Sequence, residues 1–174
     1  MNSFAMEVAA KSGEKPEACY QCGKCSSGCP AMRWFEWSNH GVIRMIQLGA
    51  EEELLRSKAI WMCIACETCG TRCPNDIYMS RLMDAMRQMA RARGIPPAEP
   101  AVTAFHESFV GSVARFGRVH ELSMLAVFKL KTRDFFTDVG AGLKLFLKGK
   151  IPILPSSVKA KGEVDRIFAW GVKK

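Results

Sequence analysis

No cysteine of this 174-residue chain lies outside two short runs, and only three histidines accompany them. No stretch approaches the roughly 18 consecutive apolar residues that a membrane-spanning helix needs. The N-terminus, MNSFAMEVAAKSGEKPEAC, has no basic start followed by an apolar segment, so no secretion signal is expected. No G-x-G-x-x-G is present, which removes the usual dinucleotide site. The expectation is a soluble, cytoplasmic protein, where disulfides are not expected. A composition with 48% hydrophobic and 24% charged residues excludes a disordered chain. The length allows one domain, or a small domain with an appendage.

What is present is a repeat. Cys19, Cys22, Cys25 and Cys29 read C-x2-C-x2-C-x3-C-P, closed by Pro30, and Cys63, Cys66, Cys69 and Cys73 read the same, closed by Pro74. The second run follows the first at a constant offset of 44 residues. This is the run that holds [4Fe–4S] clusters in two-cluster ferredoxins. A cubane offers four iron corners, each wanting one soft thiolate. Three cysteines at x2 intervals let one tight loop wrap three corners and aim backbone N–H groups at the sulfides. The fourth cysteine stands beyond a turn and, in the two-cluster arrangement, ligates the other cluster. The expected sets are therefore Cys19, Cys22, Cys25 and Cys73 for one cluster, and Cys63, Cys66, Cys69 and Cys29 for the other.

Other metal chemistry fits less well. Zinc sites pair C-x2-C units across a loop, often with histidine, and two triplets with trailing Cys-Pro pairs offer no such grouping. A Rieske centre needs two histidine ligands, and His40, His106 and His120 all lie outside the cysteine loops. They read as solvated or packed helix residues.

The segments between and after the runs predict helices, and hence an all-α fold, an α-helical ferredoxin with two cluster loops and a helical C-terminal arm. Asn39 is placed to cap a helix carrying Val42, Ile43, Ile46 and Leu48, with Gly49 as its stop. Glu51, Glu52 and Glu53 open a short helix through Leu54 and Leu55. Asn75 or Asp76 is expected to start a longer helix with Tyr78, Leu82, Met86 and Met89 as its apolar stripe, ended by Gly94, Pro96 and Pro97. The methionines Met79, Met83, Met86 and Met89 read as core packing. Trp34, Phe35, Trp37 and Trp61 read as residues that keep water from the clusters, and a dry shell is one determinant of potential.

A boundary falls near GIPPAEP, giving a dicluster domain over 1–94 and a basic helical arm over 95–174. Residues 1–99 carry twelve basic and eleven acidic side chains; residues 100–174 carry thirteen and six. The formal charge of +8 belongs mainly to the arm, and two oxidised cubes with their thiolates would take the total to about +4. The arm predicts helices carrying Val102, Phe105, Phe109, Val113 and Phe116, then Val119, Leu122, Leu125, Phe128 and Leu130, then Phe135, Val139, Leu143 and Phe146 over roughly 133–148. KGKIPILP, with Pro152 and Pro155, is expected to be extended, and a last helix carries Val164, Ile167 and Phe168. So many apolar positions without a cofactor motif suit an element that wraps the cluster domain and partner subunits. The basic stretches KLKTRD and LKLFLKGK read as a docking face before a nucleic-acid or membrane surface.

CYQCGKCSSGCP and WMCIACETCGTRCP, with the tail FHESFVGSVARFGRVHE…KGKIPILP, resemble the C-type (HdrC) subunits of heterodisulfide reductase and their bacterial relatives. The resemblance implies a component of a cytoplasmic hetero-oligomeric complex, dimerised in some forms. In it single electrons pass between a flavin- and cluster-bearing A-type subunit (HdrA-like) and a B-type subunit with cysteine-rich CCG domains (HdrB-like). It implies that all eight cysteines are ligands of two [4Fe–4S] clusters and that the chain is a non-catalytic part of an oxidoreductase. The chain has no CCG pattern and no spare cysteine, so disulfide chemistry is not expected of it. It has no membrane cytochrome segment, so the soluble form of the complex is expected. An iron–sulfur subunit of a quinone-linked oxidoreductase and a free, diffusible ferredoxin remain alternatives.

Overall fold

The computed structural model describes residues 2–135, 137, 139–149 and 154–171. It is all-α, with no strand among those residues. Contacts divide the chain into a unit of residues 1–100 and a unit of residues 101–174.

The first unit opens with α1 (Ser3–Ser12). Asn2 caps it, its side-chain oxygen accepting from the Ala5 N–H at 2.8 Å, and Gly13 ends it at φ 71°. The Asn2 amide also donates to the Gln47 carbonyl at 2.9 Å, so one side chain starts α1 and satisfies the end of α3 (Asn39–Leu48). Two short helices, α2 (Lys24–Ser27) and α6 (Thr68–Thr71), carry the third cysteine of each run. They pack against each other.

Further helices supply the core. Helix α3 stops at Gly49, whose φ of 80° a residue with a Cβ rarely adopts. Its cap is Ser38 and not Asn39: the Ser38 hydroxyl accepts from the Gly41 N–H at 3.2 Å. Asn39 is instead buried at 2% exposure, donating to the Cys25 carbonyl at 3.1 Å. Both residues are good caps in isolation; a distant acceptor for the Asn39 amide decides between them. After α4 (Glu51–Leu55) and α5 (Ala59–Met62) comes the 14-residue α7 (Met79–Ala92).

Neither Asn75 nor Asp76 starts α7. Asp76 lies at φ 52°, and the Asn75 amide donates to the Ala18 carbonyl. The Tyr78 N–H that precedes the helix goes instead to a buried carboxylate 64 residues away, Glu14 Oε2 at 2.9 Å. Arg81, one turn further on, pairs with Glu14 Oε1, also at 2.9 Å. The helix ends as expected, with the Gly94 and Ile95 N–H groups returning to the Arg91 and Ala90 carbonyls.

Val8 of α1, Val42, Ile43 and Ile46 of α3, Leu54 and Leu55 of α4, Ile60 and Trp61 of α5 and Leu82 of α7 close into one core with Met79, Met83, Met86 and Met89. The methionine face is therefore packing. Flexible thioethers fill the irregular space where five helices meet.

In the second unit, α8 (Pro100–Phe116) ends at Gly117, φ 76°, and α9 (Glu121–Thr132) is capped by His120. The His120 ring accepts from the Ser123 N–H. Helix α10 (Val139–Leu147) is shorter than the 133–148 expected, and α11 spans Lys161–Gly171. Half of the segment expected to be extended, residues 150–153, lies outside the described residues. Among those described here, Met124 is the one hydrophobic side chain that is buried. Phe105, Phe109, Leu125, Leu130, Phe146, Ile167 and Trp170 stay exposed. Among the described residues no helix is long and apolar enough to cross a membrane.

Two substitutions separate core from cap. Met86→Ala leaves a cavity under a fully buried side chain and should lower stability by about 2–5 kcal/mol. Ser38→Ala should cost about 1 kcal/mol. Denaturant unfolding of the anaerobic, iron-loaded protein, followed by circular dichroism, measures both. Equal losses would show that the core is not centred on α7.

Candidate metal centre

Each cysteine run enters from a helical turn and winds around backbone in the left-handed region. In the first, a 3-10 turn (Pro16–Ala18) leads to Cys19, then Gln21 at φ 65° and Gly23 at φ 77°. In the second, α5 leads to Cys63, then Ala65 at φ 51° and Glu67 at φ 62°. The positive φ values thus repeat at the same offset of 44 as the cysteines. Three of these four residues carry a Cβ, for which the left-handed region is unfavourable. Backbone of this kind turns N–H groups toward a common concavity, the form that receives anions and iron–sulfur groups.

Thiols from both runs meet at one recess. Cys63, Cys66 and Cys69 line it, and the fourth cysteine on its wall is Cys29, from the first run. Ala31, Phe35, Asn39, Met79 and Ser80 complete much of the lining. Cys63 feels the charges of Cys69 and Cys29. On the other side, Cys22, Cys73 and Cys19 all act on the Tyr20 phenol. Burial and then these thiols raise it above its ordinary value. Cys25 feels Cys19, and more weakly Cys69 across the α2–α6 contact.

Hydrogen-bond donors aim at the sulfurs. Burial pushes the Cys69 thiol up, while the Met79, Ser80 and Gly70 N–H groups oppose that shift. Burial likewise raises Cys63, against the Ala65 N–H and the Arg87 charge, and raises Cys25, against the Ser26 hydroxyl. Cys66 is lowered, because the Thr68 hydroxyl, 3.4 Å from its sulfur, and the Thr68 N–H favour the thiolate. Cys22 and Cys66, the second cysteine of each run, are exposed.

This arrangement suits a polynuclear group. Among the described residues no three His, Cys, Asp or Glu side chains converge as ligands of a single ion would. Corners of a cube are ligated one thiolate each, so its cysteines stand around a space and not on a point. A recess walled by four thiols, with N–H and O–H donors turned toward them, fits that demand.

The expected water shield is only half present. Trp61 is in the core and Phe35 lines the recess, whereas Trp34 and Trp37 are exposed at 47% and 44%. Several residues around the thiols carry no signal in the spacing. His40, which by sequence reads as a solvated or packed residue, holds the first run through Ser26. The His40 N–H donates to the Ser26 hydroxyl at 3.2 Å, and its Nδ1 lies 2.7 Å from the same oxygen. Thr68, between two cysteines, is the readable clue to an outer donor. Glu67, whose Oε1 accepts from the Ser80 hydroxyl at 2.7 Å, is found only in three dimensions.

Residues 18–78 match the 4Fe-4S dicluster domain. The chain is 32% identical over 103 residues to the C subunit of the H(2):CoB-CoM heterodisulfide,ferredoxin reductase of Methanothermobacter thermautotrophicus, covering 59% of this chain and 56% of that one. It is 37% identical over 78 residues to the iron-sulfur C subunit of the CoB--CoM heterodisulfide reductase of Methanopyrus kandleri, with coverages of 45% and 41%. It is 42% identical over 72 residues to a protein of Archaeoglobus profundus described as like the C subunit of heterodisulfide reductase, with coverages of 41% and 38%. The chain thus spans about half the length of the curated relatives it matches. The cysteine-bearing part of the chain, with its iron–sulfur dicluster domain over residues 18–78, is thus similar to the C subunits of heterodisulfide reductase.

Proposed function

We propose that this chain is an electron-transfer subunit of a heterodisulfide-reductase-like oxidoreductase. It relays single electrons through two [4Fe–4S] clusters between a flavin- and cluster-bearing A-type subunit and a CCG-domain B-type subunit. The observation that carries the reading is the recess walled by Cys29, Cys63, Cys66 and Cys69. A thiol borrowed from the other run is what a crossed pair of cubes requires.

Cys19, Cys22, Cys25 and Cys73 would hold one cluster and Cys63, Cys66, Cys69 and Cys29 the other. Each cluster, when bound, supplies a one-electron couple. The chain's own residues do the rest. Thiolates fix the iron, N–H groups from α7 and the loops stabilise negative charge on sulfur, and Phe35 and Met79 keep water from the second site. No side chain acts as acid, base or nucleophile. Residues 95–174 serve as a docking arm, a reading supported by the exposed apolar side chains of α8 to α11 and their basic balance.

Anaerobic purification from the native host tests the whole proposal. The expected result is an iron-loaded chain with about eight irons, bound to a flavoprotein and a CCG-domain subunit. A chain that elutes alone with both clusters intact would instead be a diffusible carrier.

The crossing is tested by Cys29→Ser. The spectroscopic species it removes should be the one that Cys63→Ser removes, not the one that Cys19→Ser removes. Mössbauer and magnetic resonance spectra of the three variants decide this, and the opposite match would place each fourth cysteine on its own loop.

Ending the chain after Gly94 should keep both clusters and abolish co-purification with the partners. A truncated chain that still assembles would remove the docking role from the arm.

A further inference from the structure

Glu14 lies just before the first cysteine run, and only 6% of it is exposed. Both of its carboxylate oxygens are nevertheless bonded to residues that follow the second run. Oε2 accepts from the Tyr78 N–H and Oε1 from the Arg81 guanidinium, each at 2.9 Å. A carboxylate is held in such a buried place when its charge is paired and its oxygens are bonded. The Arg81 guanidinium also lies over the Tyr78 ring, 4.7 Å from its centre. Together these contacts fix where α7 begins.

The first turn of α7 is a wall of the second recess. Met79 and Ser80 line it with Cys29, Cys63, Cys66 and Cys69. The Ser80 hydroxyl donates to Glu67 Oε1 at 2.7 Å, and Glu67 stands in left-handed backbone between Cys66 and Cys69. The Tyr78 ring lies against Gly70, the residue after Cys69, so closely that a Cβ there would be 2.2 Å from it. By holding Tyr78, Glu14 therefore holds the turn that meets the second run at Glu67 and Gly70.

Gln47, near the end of α3, does the corresponding work for the first run. Its amide nitrogen donates to the Pro16 carbonyl at 2.9 Å and to the Cys19 carbonyl at 3.1 Å, across 31 and 28 residues. Its oxygen accepts from the Arg44 guanidinium at 3.1 Å. Both N–H bonds and the oxygen are engaged, which gives the amide one orientation. Between those two carbonyls, the Ala18 carbonyl accepts from the Asn75 amide. The backbone that enters the first run is thus anchored by bonds other than those of Glu14.

We propose that Glu14 is the positioning residue of the second cysteine site, acting through Tyr78 and α7, and that Gln47 is that of the first, acting through the Cys19 carbonyl. The inference rests on the proposed function, that both sites hold [4Fe–4S] clusters. It does not depend on which run supplies the fourth thiol of either site. Removing one positioning residue should disturb one site and spare the other. For Glu14 the disturbed site is the one farther away in sequence.

The test is anaerobic iron loading of the full-length chain, followed by iron counting and by Mössbauer and electron paramagnetic resonance spectra. Cys19→Ser and Cys63→Ser mark the species of each run. Glu14→Gln keeps the size of the side chain but sets an amide donor against either the Tyr78 N–H or the Arg81 guanidinium. It should deplete the species that Cys63→Ser removes, with iron falling from about eight toward about four per chain, and leave the Cys19 species as in the wild type. Gln47→Met, which keeps the length but removes the donors, should do the reverse. The assignment is overturned if Glu14→Gln depletes the Cys19 species, both species or neither, or if Gln47→Met acts on anything but the Cys19 species. Where circular dichroism shows Glu14→Gln to be unfolded, Arg81→Gln, made at a side chain that is 59% exposed, is read in its place by the same criteria. A wild-type chain that holds no iron overturns the proposed function itself, and its iron count separates that failure from a wrong assignment.

Discussion

Cys29 stands on the wall of a recess whose other three thiols come from Cys63, Cys66 and Cys69, and most of the first unit is arranged so that it can. Two loops far apart in sequence must be held face to face, at backbone angles that favour neither. Packing of α2 against α6 joins the loops directly. Behind them, the N-termini of α3 and α7 grip the third cysteine of each run, through the Asn39 amide on the Cys25 carbonyl and the Met79 and Ser80 N–H groups on the Cys69 sulfur. The same two helices turn their apolar faces into one core with α1, α4 and α5. Core and candidate metal centre are thus two ends of the same helices. The left-handed conformations of Gln21, Ala65 and Glu67 are the local cost, and such strain persists only where surrounding structure over-determines it. With clusters ligated across the two runs, cluster binding and folding of this unit would be one coupled equilibrium.

The cysteines are legible in the sequence because their signal is arithmetic: identical spacing, twice, at one offset. The helices that carry the core are legible for a similar reason, since Val42, Ile43 and Ile46, and Leu82, Met86 and Met89, repeat at helical spacing and prove buried, whereas Leu48, expected on the same face of α3, is 67% exposed at the helix end. Gly49 and Gly94 stop their helices as their conformational freedom suggests. The starts are less legible. Ser38 and Asn39 are both competent caps, and only the distant Cys25 carbonyl shows why Asn39 is drawn away. For α7 the local candidates Asn75 and Asp76 are both displaced by Glu14, a residue 64 positions before Tyr78 that no local rule would nominate.

The outer surroundings of the thiols follow the same division. Thr68 lies between two cysteines and can be read from its place in the run. His40 cannot. Its role depends on the fold returning α3 to the first loop so that ring and backbone both meet Ser26. Trp34 and Trp37 show the converse. Proximity in sequence to Cys29 suggests a shield, yet both side chains are nearly half exposed while Phe35 between them turns inward. A helical turn at Met32–Trp34 followed by extended backbone at Phe35 sets that alternation.

The second unit poses the opposite problem from the first. Its helices are long enough to form a core, but Leu130, Ile167 and Trp170 are 66%, 65% and 64% exposed. The helix caps are sound, with Gly117 ending α8 and His120 starting α9. Local structure is therefore specified where tertiary burial is not. Single exposed hydrophobics are ordinary on any protein surface, but four successive helices that each leave several large apolar side chains exposed are not. Thirteen basic against six acidic residues over 100–174 add a sign to that surface. A partner that covered it would have to bring apolar area and acidic groups together. A small diffusible carrier gains nothing from such a surface, whereas a subunit fixed in a complex gains a wide anchor whose attachment need not alter the chemistry around the thiols.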